Sequence, residues 1–230
     1  MKENQNNLVE MTKDARDCIN SAHMRNGVRM IDPSTAYIED TVEIEAGVVI
    51  YPNVILEGNC KIGADAIIGA NSHLKNTVVG AGAHVRQSVA IDATIGEKTE
   101  VGPYAYLRPN ASIGNECKVG SFVEVKNSNI SDKTSVAHLA YIGDADVGRG
   151  VNIGCGVITA NYDGKRKHRT TIGDHVFVGS NSNLVAPVKL GDGAFVAAGS
   201  TITEDLPSCA LGIARARQVQ KLNWVKPETP

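Results

Sequence analysis

The sequence has few aromatic residues, little net charge and no long apolar run, and each shortage excludes a class of protein. Phe, Trp and Tyr make up 4% of the 230 residues, which points to a narrow core of aliphatic side chains. A formal net charge of −2 argues against a surface made for nucleic acid or acidic lipids. No run approaches the length of a membrane span, and the start, MKENQNNLVEM, lacks the apolar centre of a signal peptide.

The cysteines form neither a disulfide framework nor a zinc motif. Their number is odd, their spacing is irregular and no CxxC pair occurs among Cys18, Cys60, Cys117, Cys155 and Cys209. We therefore expect a reduced, cytoplasmic protein without a metal centre.

What the sequence has in abundance is an aliphatic residue at every sixth position. The repeat begins with Ile38, Ile44, Ile50, Leu56, Ile62, Ile68 and Leu74. It continues with short interruptions to Ile202 and is often followed by Gly. Neither a helix nor an amphipathic strand has this period, whereas a short strand followed by a tight turn does. The pattern predicts an all-β fold, a three-sided parallel β-helix with about 18 residues in each coil.

Three regions follow from where the repeat holds. Residues 1–35 are predicted to be a helical linker or cap, with one apolar face made by Leu8, Met11, Ala15, Cys18, Ile19 and Ala22. Residues 36–205 form the β-helix. Residues 206–230 form an irregular tail whose Ile213, Val219, Leu222 and Trp224 we expect to dock on a surface, because apolar side chains are costly to leave in water.

One long insertion breaks the repeat between Thr159 and Ile172. The segment ANYDGKRKHRTT takes thirteen steps where one repeat needs six, so the extra residues must project as a loop. A basic loop that interrupts an otherwise regular repeat indicates a function.

Stacking the coils places chemistry-bearing residues above one another. Arg108 and Lys126 fall one coil apart at the same corner, so they require an anion between them or a nearby carboxylate, for which Glu124 is available. A phosphate is the sharper hypothesis and solvated surface charge the plainer one. At another corner, His138, Cys155, Ser180 and Ala198 form a vertical stripe of small residues that continues from a histidine. We expect the histidine, the cations and the loop to lie on one side of the solenoid.

Several strings resemble one family over nearly the whole chain: LRPNASIG, VGSFVEVKNS, AHLAYIGDADVG, VNIGCGVITANYDG, VFVGSNSNLVAPV and ARARQ. They are similar to the C-terminal acetyltransferase domain of the GlmU family, the bifunctional N-acetylglucosamine-1-phosphate uridyltransferases/glucosamine-1-phosphate acetyltransferases. The resemblance implies a left-handed β-helix and a homotrimer with active sites at the subunit junctions. It also implies acetyl transfer from acetyl-CoA to glucosamine 1-phosphate, on the route to UDP-N-acetylglucosamine and the cell wall.

The resemblance also assigns roles to residues. The family's catalytic histidine corresponds to His138, and its sugar-phosphate ligands correspond to Arg108, Lys126, Tyr141, Asn152 and Lys167. Its acetyl-CoA contacts correspond to Cys155, Asn161, Tyr162, Ser180, Ala198 and Arg215. In this hypothesis His138 is the general base, and Lys167 or Arg169 of the loop reinforces the phosphate site.

Three other readings stay open at this point. The family's nucleotidyltransferase half has no counterpart in this sequence, so acetyl transfer without uridylyl transfer is expected, and the acceptor could be a different amino sugar. A catalytically silent β-helix scaffold is the second alternative. The third is a zinc hydratase, which requires three converging histidines, whereas His73, His84, His138, His168 and His175 fall on different corners.

Overall fold

The computed structural model describes residues 7–222 and 224–225, and it is a parallel β-helix. The strands form three parallel sheets, which we call faces A, B and C, and the chain visits them in that order once per coil. Residues 1–6 of the predicted linker and residues 223 and 226–230 of the predicted tail lie outside the described residues.

Each face is a stack of very short strands. Face A contains Arg29–Met30, Val49–Ile50, Ile67–Ile68, His84–Val85, Glu100–Val101, Lys118–Ser121, Ser135–His138, Asn152–Ile153, Phe177–Val178, Phe195–Val196 and Leu211–Gly212. Face B contains Tyr37–Ile38, Ile55–Glu57, His73–Lys75, Val89–Ile91, Tyr106–Leu107, Glu124–Lys126, Tyr141–Gly143, Ile158–Ala160, Asn183–Val185 and Thr201–Ile202. Face C contains Glu43–Ile44, Lys61–Ile62, Val78–Val79, Thr94–Ile95, Ala111–Ile113, Ser128–Ile130, Ala145–Val147, Thr170–Ile172 and Val188–Leu190.

The six-residue repeat is the inward-facing position of these strands. Leu107, Val125 and Ile142 are fully buried and pair with one another across coils of face B. Backbone N–H groups of one coil donate to carbonyls of the next, as from Glu124 to Ala140 at 2.9 Å. The predicted fold class, an all-β left-handed parallel β-helix, is confirmed in its architecture.

The register predicted from the sequence is also confirmed. Val125 pairs with Ile142 seventeen residues later, and Ile153 pairs with Val178 twenty-five residues later, across the loop insertion. The shortened repeats and the insertion are therefore absorbed at the turns and leave the pairing intact.

The N-terminal helix occurs, and its predicted apolar face is only partly covered. The chain forms helices Asn7–Glu10 and Lys13–Arg25, and a 3₁₀ turn at Pro33–Thr35. In the longer helix Ala15 and Cys18 are exposed, whereas Arg16, Ile19, Asn20 and His23 lie on the covered side. Asn20 decides this orientation, because its amide donates to the carbonyls of Pro33 at 2.8 Å and Ala36 at 3.0 Å. None of the described helices is long and apolar enough to cross a membrane.

The tail begins in register and then leaves the solenoid. Leu211–Gly212 pairs with Phe195–Val196, and the Arg215 guanidinium donates to the Ala198 carbonyl at 2.9 Å. Beyond that point the four apolar side chains that we expected to dock are 60–85% exposed, namely Ile213, Val219, Leu222 and Trp224. Within the part of the chain that the structure describes, no other segment covers them.

The loop between Ala160 and Thr170 is a small closed hairpin. Tyr162 and Lys167 pair as an antiparallel bridge, and the N–H of His168 donates to the Asn161 carbonyl at 2.8 Å. Asp163 closes the tip, because one carboxylate oxygen accepts from the N–H groups of Lys165 and Arg166 at 2.7 and 2.6 Å. Its other oxygen lies 2.8 Å from the His168 ring.

These contacts make the loop tip acid-resistant. Hydrogen bonds from the backbone of Arg166, the His168 ring and the backbone of Lys165 lower the pKa of Asp163 from 3.8 to about 2. A carboxylate with a lowered pKa contributes stability that is complete above its unfolded value and is lost as pH falls through the folded value. We expect a carboxyl ¹³C NMR titration of Asp163 to show its midpoint near 2. A midpoint near 4 would contradict the hairpin closure.

Candidate functional site on face B

Arg108 and Lys126 lie one coil apart on the outer surface of face B. Each follows an inward-facing residue of the paired strands, Leu107 and Val125, so both side chains point outward. Arg108 already has a carboxylate partner, since its Nη1 lies 2.6 Å from Oε1 of Glu124. The hydrogen bond to Glu124 raises the pKa of Arg108, so this cation is permanently charged. Glu124 is thus the counter-charge that the sequence offered.

Lys126 meets a second lysine instead of a carboxylate. The side chain of Lys167 in the loop, and then its charge, lower the pKa of Lys126. Partial desolvation and the charge of Arg108 act in the same direction, and Asp144 opposes them. Two ammonium groups held together in this way form a site that an anion would stabilise.

Tyr141 begins the next strand of face B and lies beside these cations. A Cβ added to Gly143 would be 2.4 Å from the Tyr141 hydroxyl, so the ring folds back over this glycine. Gly143 is the register partner of Lys126. The absence of a side chain at residue 143 therefore leaves room for the tyrosine next to Lys126.

His138 lies at the edge of this face. It ends the strand Ser135–His138 of face A, pairs with Ser121 and is exposed. Leu139, in a left-handed conformation with φ of 45°, turns the chain towards Tyr141. We call this turn from face A to face B the AB corner.

The stripe of small residues continues along the AB corner from His138. The N–H of Gly156 donates to the Leu139 carbonyl, that of Asn181 to Cys155 and that of Gly199 to Ser180, at 2.8–3.0 Å. His138, Cys155, Ser180 and Ala198 therefore stand above one another, as the sequence predicted. Arg215 reaches the far end of the stripe through its bond to the Ala198 carbonyl.

The remaining sequence-predicted residues lie in three places. Asn161 is buried at the root of the loop, whereas Tyr162 is 61% exposed on it. Asn152 is exposed on face A, opposite to the cations across the AB corner. Arg169 of the loop is paired with Asp146, with Nε 2.5 Å and Nη2 2.6 Å from the two carboxylate oxygens. The expectation that Lys167 or Arg169 reinforces the phosphate site stays a prediction.

Sequence reasoning missed Asp144, a charged residue that is 6% exposed next to the lysines. Burial alone would raise the pKa of Asp144, but hydrogen bonds from Asn127 and Asn161 and the charges of Lys167 and Lys126 outweigh it and lower the pKa. The sequence did contain one signal for this residue, because Asn or Asp recurs at the same corner position of successive coils. These residues all have a φ near 47°, namely Asn76, Asp92, Asn127 and Asp144. Within residues 7–222 and 224–225, no group of three or more His, Cys, Asp or Glu side chains is arranged to hold a metal ion.

Two family models match the chain. The bacterial transferase hexapeptide model (six repeats) matches residues 41–76 and 169–204, and the GMPPB C-terminal domain model matches residues 90–181. The matched segments coincide with the coils that the structure shows.

Curated relatives named bifunctional protein GlmU match nearly the whole chain. The protein from Clostridioides difficile is 51% identical over 224 residues, 96% of this chain and 49% of the relative. That from Alkaliphilus oremlandii is 54% identical over 219 residues, 95% of this chain and 48% of the relative. That from Listeria monocytogenes (strain EGD-e) is 48% identical over 219 residues, with the same shares. The chain thus spans about half the length of these relatives and corresponds to their C-terminal domain.

Solved structures resemble the chain more distantly. The Arabidopsis UDP-N-acetylglucosamine acyltransferase has a TM-score of 0.47 and 16% identity, and it covers 78% of this chain and 69% of its own. The chain thus contains hexapeptide repeats of the bacterial transferase type and is similar, over nearly its whole length, to the C-terminal half of GlmU proteins.

Proposed function

We propose that this chain transfers the acetyl group of acetyl-CoA to the amine of glucosamine 1-phosphate, giving N-acetylglucosamine 1-phosphate for UDP-N-acetylglucosamine and cell-wall synthesis. One observation carries the proposal. The stacking of the coils brings three features next to one another. They are a histidine at the AB corner, a cluster of three cations on the adjoining face, and a groove of small residues that leads away from the histidine. A silent scaffold would not need two contacting lysines, which cost electrostatic energy unless an anion relieves them.

The cations would hold the acceptor. Arg108, Lys126 and Lys167 would bind the sugar phosphate through charge-assisted hydrogen bonds, and Tyr141 would lie against the sugar. The dianion would relieve the repulsion between Lys126 and Lys167.

His138 would act as the general base. An amine is protonated and unreactive until it loses a proton, and an exposed imidazole can accept that proton as nitrogen attacks the thioester carbonyl. Acetyl-CoA would lie along the stripe of Cys155, Ser180 and Ala198, with Asn161, Tyr162 and Arg215 at its sides. The Ser180 hydroxyl or a backbone N–H of the stripe would stabilise the developing oxyanion. Collapse of this intermediate would break the carbon–sulfur bond, and the proton held by His138 would pass to the departing CoA thiolate. We assign no metal and no covalent intermediate to this reaction.

Asn152 would come from a second copy of the chain. It lies on face A, so a junction between face A of one copy and face B of another would bring it to the cations. The exposed apolar side chains of the tail would be covered in the same assembly. We therefore propose a homotrimer with sites at the junctions, and we assign it to the cytoplasm because all five cysteines are free.

A ladder of apolar corner residues supports assembly. Tyr104, Phe122 and Leu139 are 56–60% exposed at the AB corner, although each has a positive φ that costs a bulky residue energy. The Tyr104 and Phe122 rings stack with centroids 5.4 Å apart. Strained apolar side chains in water are expected where a partner surface covers them.

Removal of the imidazole tests the general base. In a thiol-release assay with acetyl-CoA and glucosamine 1-phosphate, His138→Ala should lower turnover by about 10²–10⁴-fold with the fold unchanged by circular dichroism. The control is His175→Asn, which alters an exposed histidine on another corner and should leave turnover unchanged. Turnover of H138A at the wild-type level would remove His138 from the mechanism. The same assay tests the acceptor assignment when glucosamine 1-phosphate is compared with unphosphorylated glucosamine and with other phosphorylated amino sugars.

Removal of the guanidinium tests the phosphate site. Arg108→Ala should raise the KM for glucosamine 1-phosphate by roughly tenfold or more, since a charge-assisted hydrogen bond is worth about 1.5–3 kcal/mol. The KM for acetyl-CoA should stay the same. Arg149→Ala, at an exposed arginine outside face B, is the matched control. An unchanged acceptor KM in R108A would contradict the phosphate role.

A polar residue at the ladder tests the assembly. Multi-angle light scattering should give three times the chain mass of 24.3 kDa for the wild type and a smaller mass for Phe122→Asn. Asn tolerates a positive φ, so the single chain should remain folded. The control is Lys133→Asn, at an exposed corner residue with φ of 60°. A monomeric wild type, or a trimeric F122N, would refute the role of the ladder.

A further inference from the structure

Asp144 contacts both ends of the basic loop. It lies at the corner between face B and face C, where its carboxylate accepts hydrogen bonds from the side-chain amides of Asn127, at 2.5 Å, and Asn161. Asn161 is the first residue of the loop. The carbonyl of Asp144 accepts from the N–H of Thr170, at 3.1 Å, where the loop returns to the solenoid. One residue therefore ties both roots of the loop to the coil that precedes it.

The charge of Asp144 faces the cations of the site. Lys126 and Lys167 act on it electrostatically, and so does Arg169, which is paired with Asp146. The carboxylate opposes the loss of a proton from Lys126, whereas Lys167 and Arg108 favour it. Arg108 itself is paired with Glu124. Asp144 is thus the acidic group that acts on both contacting lysines.

Asp92 occupies an equivalent corner away from the two lysines, so it shows which features of Asp144 the corner geometry alone explains. It lies at the same kind of corner, has the same φ of 48° and accepts from the side chain of Asn76 at 2.9 Å. Yet Asp92 is exposed, whereas Asp144 is buried, bonds a second amide and faces two lysines. Corner geometry explains an Asn or Asp at residue 144 but does not explain a buried, ionised carboxylate there.

We propose that Asp144 is a positioning residue, which anchors the loop and keeps Lys126 and Lys167 together as charged ligands for the phosphate of the acceptor. The second half of this inference rests on the proposed function, and the first half does not. Asp144 does not touch the reacting amine or thioester. It acts through Asn161 and the lysines.

Proteolysis tests the anchor without any assumption about activity. The loop contains trypsin sites at Lys165, Arg166, Lys167 and Arg169. Asp144→Asn keeps the size and the tolerance of positive φ but removes the charge and sets its amide against one of the two donors. We expect mass spectrometry to show loop cleavage about tenfold faster in D144N than in wild type, since local opening sets the cleavage rate. D92N, the matched control, should be cleaved at the wild-type rate. Equal rates for D144N and wild type would refute the anchor.

Kinetics test the second half. D144N should raise the KM for glucosamine 1-phosphate by roughly tenfold with little change in kcat or in the KM for acetyl-CoA. Asn161→Ala loosens the loop but retains the charge of Asp144, so it should speed loop cleavage with a smaller rise in the KM for glucosamine 1-phosphate than D144N.

These outcomes separate the two claims. A wild-type chain without acetyl transfer would refute the proposed function, and the trypsin comparison would still decide the anchor. Fast loop cleavage in D144N with an acceptor KM no higher than that of N161A would refute the electrostatic role of Asp144.

Discussion

The parallel hydrogen bonding between successive coils is the constraint on which the rest of this structure depends. Backbone N–H groups and carbonyls pair between successive coils, so side chains at equivalent positions stand directly above one another. A slip of one residue would turn the aliphatic core outward and would scatter the cations and the stripe. The buried aliphatic residues therefore determine where His138, Arg108 and Lys126 lie, although none of these three is in the core.

Within that frame, the site is made of like charges that the fold holds together. Lys126 and Lys167 come from different parts of the chain, one from a regular strand and the other from the loop insertion. Their contact is unfavourable in isolation, and buried Asp144 offsets part of the repulsion while Asn127 and Asn161 satisfy its oxygens. The site thus keeps a net positive charge beside a histidine, and such a charge favours the binding of a phosphate group.

The regular part of the molecule was predictable because it repeats. The six-residue period indicated the solenoid, the interrupted repeats gave the seventeen-residue pairing of Val125 with Ile142, and the insertion gave the loop. Irregular parts were predicted less well. The helix Lys13–Arg25 was expected to bury Ala15 and Cys18, which are exposed, because two hydrogen bonds of Asn20 turn the side that carries Ile19 and Asn20 towards the solenoid. The carboxylate of Asp146 as the partner of Arg169 was not predicted.

From the sequence alone, the vertical order of the outward residues was determined: the Arg108–Lys126 pair on one face and the stripe from His138 to Ala198 on one corner. The reason is that burial of the aliphatic repeat allows only one strand register between successive coils. Only the tertiary structure decided which charges meet. The path of the loop brings Lys167 to Lys126. Glu124 pairs with the guanidinium of Arg108, and Asp144 is buried between the side-chain amides of Asn127 and Asn161. Such contacts depend on turns and side-chain directions that no period encodes, and they decide the chemistry of the site.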